Sequence, residues 1–569
     1  MKIDRRIRNR GYALMIALFF SALGLLALAG GSRWTSSTAK NTDRNIAYNK
    51  AVNAAEAATE RVVANVSKDF LSGGEGSVYS KLDTYRALKP LTTESSYWND
   101  YTFTDAQTHA GTYINRTVAW SYVPIESQYQ GLWGMASTYR IVSNAKISGY
   151  TPAITGAVRQ DVQVASIPIF QFAIFYNMDL EVNPGPNMNI TGRVHSNGKI
   201  YNQPQATLNY MSHVTAGDKI VIGKSPLDPT SRTPGAVNFL GESDSGVSTI
   251  SLPIGTNNTP AAVRSVVEVP PSGESATSLM GQQRFYNKAD LVVLVSNTTV
   301  TVKSGLWNNF ATTVPYTNVS SWLNTNGSFS NAREGKTVKP INIDVAALRT
   351  WSSNNTIIRT NLLRDIDSIY VADTRFDPSN TTYESGIRLT NGQTLPSLGL
   401  TVASPNPVYV QGNYNAPSSY LGTTNTSTAK PAAIIADAIN VLSTAWSDAN
   451  AGSSLSSRIA ANTTVNSAFL AGIVASNGSY YSGGVENFPR FLEDWSNRTF
   501  TYNGSMVVMY PSKYATGFWG GNNNTYSPPN RNWAFDLNFM DATKLPPGTP
   551  QVSAMVRAGW AMIQPGAIQ

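Results

Sequence analysis

RGYALMIALFFSALGLLALAGG, Arg10–Gly31, is the stretch on which the reading of this chain turns. Tyr12 to Ala29 is a run of 18 residues without a charge. At about 1.5 Å per residue, a helix over that run reaches roughly 27 Å, near the hydrocarbon thickness of a bilayer. Lys2, Arg5, Arg6, Arg8 and Arg10 stand before it, with only Asp4 opposing them. Such a cluster stays on the cytoplasmic side of a membrane. Three readings fit the run. It is a secretory signal, with Ala27-Leu28-Ala29 as its cleavage site. It is a plain membrane anchor. Or it is a retained apolar helix behind a short basic leader that is cut just after a glycine.

The residues that follow separate these readings. From Ser32 to Leu71 there is neither Gly nor Pro. Within this span Ala51, Ala55, Ala58, Val62, Val66 and Phe70 recur at three- and four-residue spacing, which is one face of a helix. Glu56, Glu60 and Lys68 fall on other faces. Gly73-Gly74 is the expected stop. The spacing therefore predicts one long transmembrane and amphipathic helix over 12–72. Ala51, Ala55 and Ala58, with Glu56 beside them, form a small-residue stripe suited to close helix packing. A signal peptide is not usually continuous with such a helix.

RNRGYALMIALFF together with AVNAAEAATERV resembles the N-terminus of PilX-type minor pilins and related pilin-like proteins of type IV pilus machinery. The resemblance covers about residues 1–72. It implies a basic leader over 1–11, a prepilin peptidase cut between Gly11 and Tyr12, and retention of the helix. It also implies partnership with other pilin-like subunits. Major pilins carry Glu at the fifth mature position, where this chain has Ile16. That departure implies a minor or capping role rather than that of a repeating subunit.

The 569 residues are 41% hydrophobic and only 14% charged, a foldable composition with length for three or four domains. The net charge of +8 suggests nucleic acid at first sight, but much of the excess sits in the leader, and no nucleic-acid partner is expected. Without any cysteine, disulfides, zinc–thiolate sites and cysteine nucleophiles are excluded.

Beyond the helix, alternation and β-rich composition predict a pilin-like antiparallel sheet region over 73–170, including VYSKLDTYRAL as strand. Residues 171–460 read as a β-rich domain. Short apolar pieces separated by Gly and Asn, as in MNITGRVHSNGKIY, suggest a β-solenoid or a β-sandwich, with no fixed repeat period evident. Residues 461–569 read as a C-terminal mixed domain. In it Phe488, Phe491, Leu492 and Trp495 are spaced for a helix starting near Pro489. AKPAAIIADAINVLSTAW reads as a buried strand leading into a short helix. The fold class is thus α+β, a long N-terminal helix followed by a β-rich head.

No P-loop, GxGxxG, GxSxG or HExxH occurs, and nothing calls for a cofactor or a metal. His195, in GRVHSNG, reads as a strand residue beside a turn or as part of a ligand surface. Trp519, in GFWGGNNNTYSPP, reads as a core plug or as a sugar-stacking residue. Asp365, Asp367, Asp373, Asp377 and Glu384 offer oxygen ligands for calcium, but strand alternation and solvated turns explain them equally well. The expectation is a structural or adhesive protein rather than a catalyst. It would be single-pass in the inner membrane, with a head that is periplasmic or displayed at the surface and that possesses, in one reading, glycans as ligands. The alternative is a secreted or anchored polysaccharide-active enzyme or glycan-binding protein.

Overall fold

A computed structural model describes residues 10–105, 109–305, 312–520 and 524–567. Its first element is helix α1, Arg10–Ser80, broken at Gly74, where φ is 70° and ψ −171°. Only a residue without a side chain adopts that conformation readily, so the helix stops where the sequence says it should. The chain then re-enters helix up to Ser80 and forms α2, Leu82–Arg86. The strand expected over VYSKLDTYRAL is therefore helical. Tyr85 of α2 is buried, and its hydroxyl donates to Asp69 Oδ2 of α1 at 2.7 Å, so the segment folds back onto the helix instead of entering the sheet.

The C-terminal half of α1 lies on an antiparallel sheet. Its strands are β1 (Tyr101–Thr104), β2 (Tyr113–Pro124), β3 (Trp133–Ile147), β4 (Ile154–Pro168) and the C-terminal strand Gln551–Met562. β3 pairs with β1, β2 and β4, and β4 pairs with the C-terminal strand. Ala51, Ala55, Ala58, Val62 and Val66 are fully buried and Phe70 nearly so, packed on Ala145, Val158, Ile141, Val162 and Val164. The helix and the strands supply each other's apolar face, which neither could bury alone. Gly156 permits the approach: a Cβ there would lie 2.3 Å from the Val52 amide nitrogen.

The large head, residues 169–550, is inserted between β4 and the C-terminal strand. These two strands are neighbours, pairing Pro168 with Gln551, and the Ile169 N–H donates to the Pro550 carbonyl at 3.0 Å. The head is a β-solenoid, with parallel strands stacked coil upon coil. In its first run, strands at 174–176, 180–182 and 188–190 are followed by strands at 194–196, 200–202 and 208–210, then by 214–216, 220–222 and 237–239. Ile174 pairs with Val194 and Val194 with Val214, a period of 20 residues. The period is real although no fixed one was evident in the sequence. The third coil carries extra residues before 237, and equivalent positions share shape rather than identity. Side chains repeat it too: Asn189, Asn209 and Asn238 form an amide ladder at 2.8 Å per step.

After residue 245 the chain crosses to the far end and builds a second run back toward the first. The strands 291–295, 368–373, 400–403, 432–436, 468–473 and 506–511 stack in parallel, and the last of them pairs with 174–176. The result is one sheet of 12 strands spanning both runs. Strands on either side of residue 460, 432–436 and 468–473, lie side by side in it. The helices expected after 429 and near Pro489 are absent: Ala432–Ala436 and Ile439–Leu442 are strands, as is Arg490–Phe491. Phe488, Phe491, Leu492 and Trp495 are all buried, but so are Arg490 and Glu493, so the segment is enclosed on both sides rather than amphipathic.

Candidate functional site

Two regions carry chemistry or contact surface that the fold itself leaves unused. The first is the N-terminal half of α1. From Tyr12 to Asp43 every side chain is exposed; the first ties to the body are Asp43, whose Oδ1 accepts from the Tyr150 hydroxyl at 3.2 Å, Arg44, whose guanidinium donates to the Pro152 carbonyl at 3.4 Å, and the buried Ala47. About 50 Å of helix thus projects from the molecule. Leu14, Ile16, Phe19, Phe20, Leu25 and Leu26 are each more than half exposed. Among the described residues this is the one helix long and apolar enough to cross a membrane. Past it, Trp34 is also exposed.

Gly11 and Tyr12 fall in the first turn of α1; residues 1–9 of the basic leader lie outside the described residues. The small-residue stripe of Ala51, Ala55 and Ala58 is covered by the molecule's own sheet, so it packs helix on sheet within the chain. Glu56 is half-buried. The face open to partners lies further toward the N-terminus, at Tyr12–Ala29.

The second region is a pair of cavities at the seam where the two solenoid runs meet. One, about 380 Å³, is lined by Tyr176, Asp179, Glu181, Arg333, Ser476 and Arg490, among others. The other, about 480 Å³, includes Asn183, Arg232, Tyr481, Glu486, Trp519 and Arg531. Trp519 stands half-buried on this second cavity. Its Nε1–H donates to the Tyr526 hydroxyl at 2.8 Å and its ring meets Tyr481 edge-on at 5.3 Å. It is thus neither a core plug nor a free loop residue, but a fixed cavity wall.

Glu486 is buried between the cavities. Its carboxylate accepts from the Asn183 N–H at 3.3 Å and from the Tyr481 hydroxyl at 3.2 Å. Burial outweighs these bonds and pushes its pKa up to about 7. Glu181 is also buried and also raised by burial. Its Oε1 accepts from Ser476 Oγ at 2.6 Å and from Ser482 Oγ at 3.2 Å. Arg490 and Glu334 form a buried ion pair at 2.9 Å. Glu181 and Arg333 did not stand out in the sequence. The one signal available was the 20-residue spacing that stacks Glu181 beneath Tyr201.

The other sequence candidates disperse. His195 is fully buried, away from any surface ligand. It stacks on Phe175 and is bonded to Thr215 Oγ1 at 2.8 Å and Asn197 Oδ1 at 3.0 Å. Burial lowers its pKa to about 4. The acidic group at 365–384 is held apart: Asp365 pairs with Arg359, Asp367 with Arg364, and Asp373 with Arg375. Asp377 caps the Ser379 N–H, and Glu384 accepts from Tyr409 and Asn331. No group of three or more His, Asp or Glu suited to a metal is found among the described residues.

No family model, no curated protein and no solved structure matches the chain.

Proposed function

We propose that this chain is a pilin-like, membrane-inserted envelope protein, a minor or tip component of a type IV pilus or a type II secretion-like system. Its solenoid head plays a structural or adhesive part, not a catalytic one. The observation that carries the reading is the division of labour along one helix. Its C-terminal half is buried on an antiparallel sheet, while its apolar N-terminal half projects with every side chain from Tyr12 to Ala29 exposed. A water-soluble protein does not leave such a length of Leu and Phe uncovered. Lipid covers it in the inner membrane, and the corresponding helices of other pilin-like subunits cover it after assembly. The large head needs the two-stranded attachment at Pro168 and Gln551 to stay fixed relative to that helix.

The deciding experiment is the N-terminal residue of the mature protein from its native host. A start at Tyr12 is expected. A start at Gly30 makes the apolar run a discarded signal and overturns the proposal. An intact Met1 also overturns it, leaving a simple anchor.

A further inference from the structure

The 380 Å³ cavity lies between the two runs, lined by Tyr176, Asp179 and Glu181 of the first and by Arg333, residues 473–476 and Arg490 of the second, and the two runs give it opposite characters. The first run supplies Asp179 and Glu181. Glu181 is more than nine-tenths buried; its Oε1 takes the two serine hydroxyls, and its Oε2 has no hydrogen-bond partner among the described residues. The second run supplies Arg333 and Arg490. Arg490 is neutralised by Glu334 at 2.9 Å and also donates to the Ala515 carbonyl at 2.8 Å. Arg333 has no ion pair of its own among the described residues, with Glu334 committed to Arg490. Its only hydrogen bond among the described residues runs from Nε to the Gly517 carbonyl at 3.1 Å; both Nη groups lack a partner, and it makes no ion pair. Burial and the neighbouring Arg490 lower its pKa, and the attraction of Glu334, whose carboxylate pairs with Arg490, only partly offsets them. Tyr176, Ile473 and Phe488 give the cavity apolar wall between the poles.

A guanidinium with a free fork in a half-enclosed cavity matches a carboxylate, which it can grip with two parallel bonds. The acidic pole suits hydroxyl donors and disfavours a doubly charged anion such as phosphate. The apolar wall suits the C–H face of a sugar ring. The volume is at the small end of ligand pockets, room for the end of a chain rather than its length. We propose that this cavity binds the terminal residue of an acidic saccharide, a sugar bearing one carboxylate, with the carboxylate on Arg333 and the hydroxyls on Glu181, Asp179 and Ser476. The proposal names a ligand class for the displayed head and rests on the display reading only for its biological setting.

The test is calorimetric titration of the full chain in detergent with methyl β-D-glucuronide, against methyl β-D-glucoside, glucose 6-sulfate and inorganic phosphate. Binding of the glucuronide, at least about tenfold tighter than of the neutral glycoside or of either other anion, is expected. Arg333→Met should weaken it by at least about tenfold. Arg333→Lys, which keeps the charge but not the fork, should lose affinity while its thermal unfolding stays that of the wild type, which separates lost binding from lost folding. No binding, equal binding of the neutral glycoside, preference for phosphate or sulfate, or an unchanged Arg333→Lys affinity overturns the proposal. A mature N-terminus at Gly30 would overturn the display reading and leave this titration untouched, so the two failures are distinguishable.

Discussion

Glu486 and His195 are both buried titratable groups, and they pull the pH dependence of stability in opposite directions. Glu486 is raised from 4.5 to about 7 on folding. Between those values the folded chain holds a proton that the unfolded chain has released, so this group's contribution falls as pH rises through the window, by about 3 kcal/mol in all. Glu486→Gln keeps the shape and removes the charge. Its stability relative to the wild type should therefore climb from pH 4.5 to 7 and then level off, as read by urea denaturation at stepped pH. A constant difference would sink the assignment. For His195, lowered from 6.5 to about 4, the unfolded chain binds the extra proton in the window. Its contribution is complete above pH 6.5 and falls as pH drops toward 4, by a similar amount. His195→Gln loses hydrogen bonds and starts less stable, but the gap to the wild type should narrow on acidification from pH 6.5 to 4. Parallel curves would contradict a neutral buried imidazole.

Helix α1 was legible in the sequence because its stripe has a single period that is never interrupted, and because Gly73-Gly74 ends it with residues that carry their own reason. Its packing partner was not legible. Ala51, Ala55 and Ala58 look the same whether they face a second helix or a sheet, and only Gly156, far along the chain, decides between them. A Cβ at Gly156 would strike the backbone of Ala51 and Val52. Gly156→Val should therefore push α1 off β4 and destabilise the helix–sheet unit by about 1–3 kcal/mol, the usual cost of overpacking. Glycine at 156 is already in contact with backbone, which cannot move aside as a side chain would, so a silent Gly156→Val in a thermal melt would mean that the helix does not lie where it is described. The cavity walls were less legible still. Glu181 and Arg333 have unremarkable neighbours in sequence, and what matters about them is that the Glu181 Oε2 and the Arg333 Nη groups are left without a partner among the described residues after folding. The segment 485–495 misleads for a related reason. Phe488, Phe491, Leu492 and Trp495 have helical spacing, yet a solenoid corner buries residues on every side, so spacing there reports the shape of the coil and not a helix face.

At the scale of the whole molecule the solenoid is closed in the middle and open at its ends. The two runs meet where Met506, Val507 and Val508 pair with Ile174, Phe175 and Tyr176, and there Asn177 Nδ2 reaches the Met509 carbonyl across 332 residues of chain. That seam is buried, and it lies beside the attachment to the helix-bearing sheet, where Ile167, Phe170, Val507 and Val552 share one core. The ends differ. The strand Ser243–Ser245 is exposed at all three residues and pairs on one side only. In a stack whose coils touch only their neighbours, opening begins where a coil has one neighbour and proceeds inward. Amide exchange should thus be fastest in the first run at 243–245, slower at 214–216, slower again at 194–196, and slowest at 174–176 and 506–511. Exchange mass spectrometry on the full chain in detergent measures that gradient directly. A seam that exchanges before the ends would mean that the two runs are separate bodies. The ordering also has a folding consequence. The seam joins residues so distant in sequence that it cannot close until both runs exist, so closure should be the slow step and variants at Val507 should slow refolding more than variants at Val214.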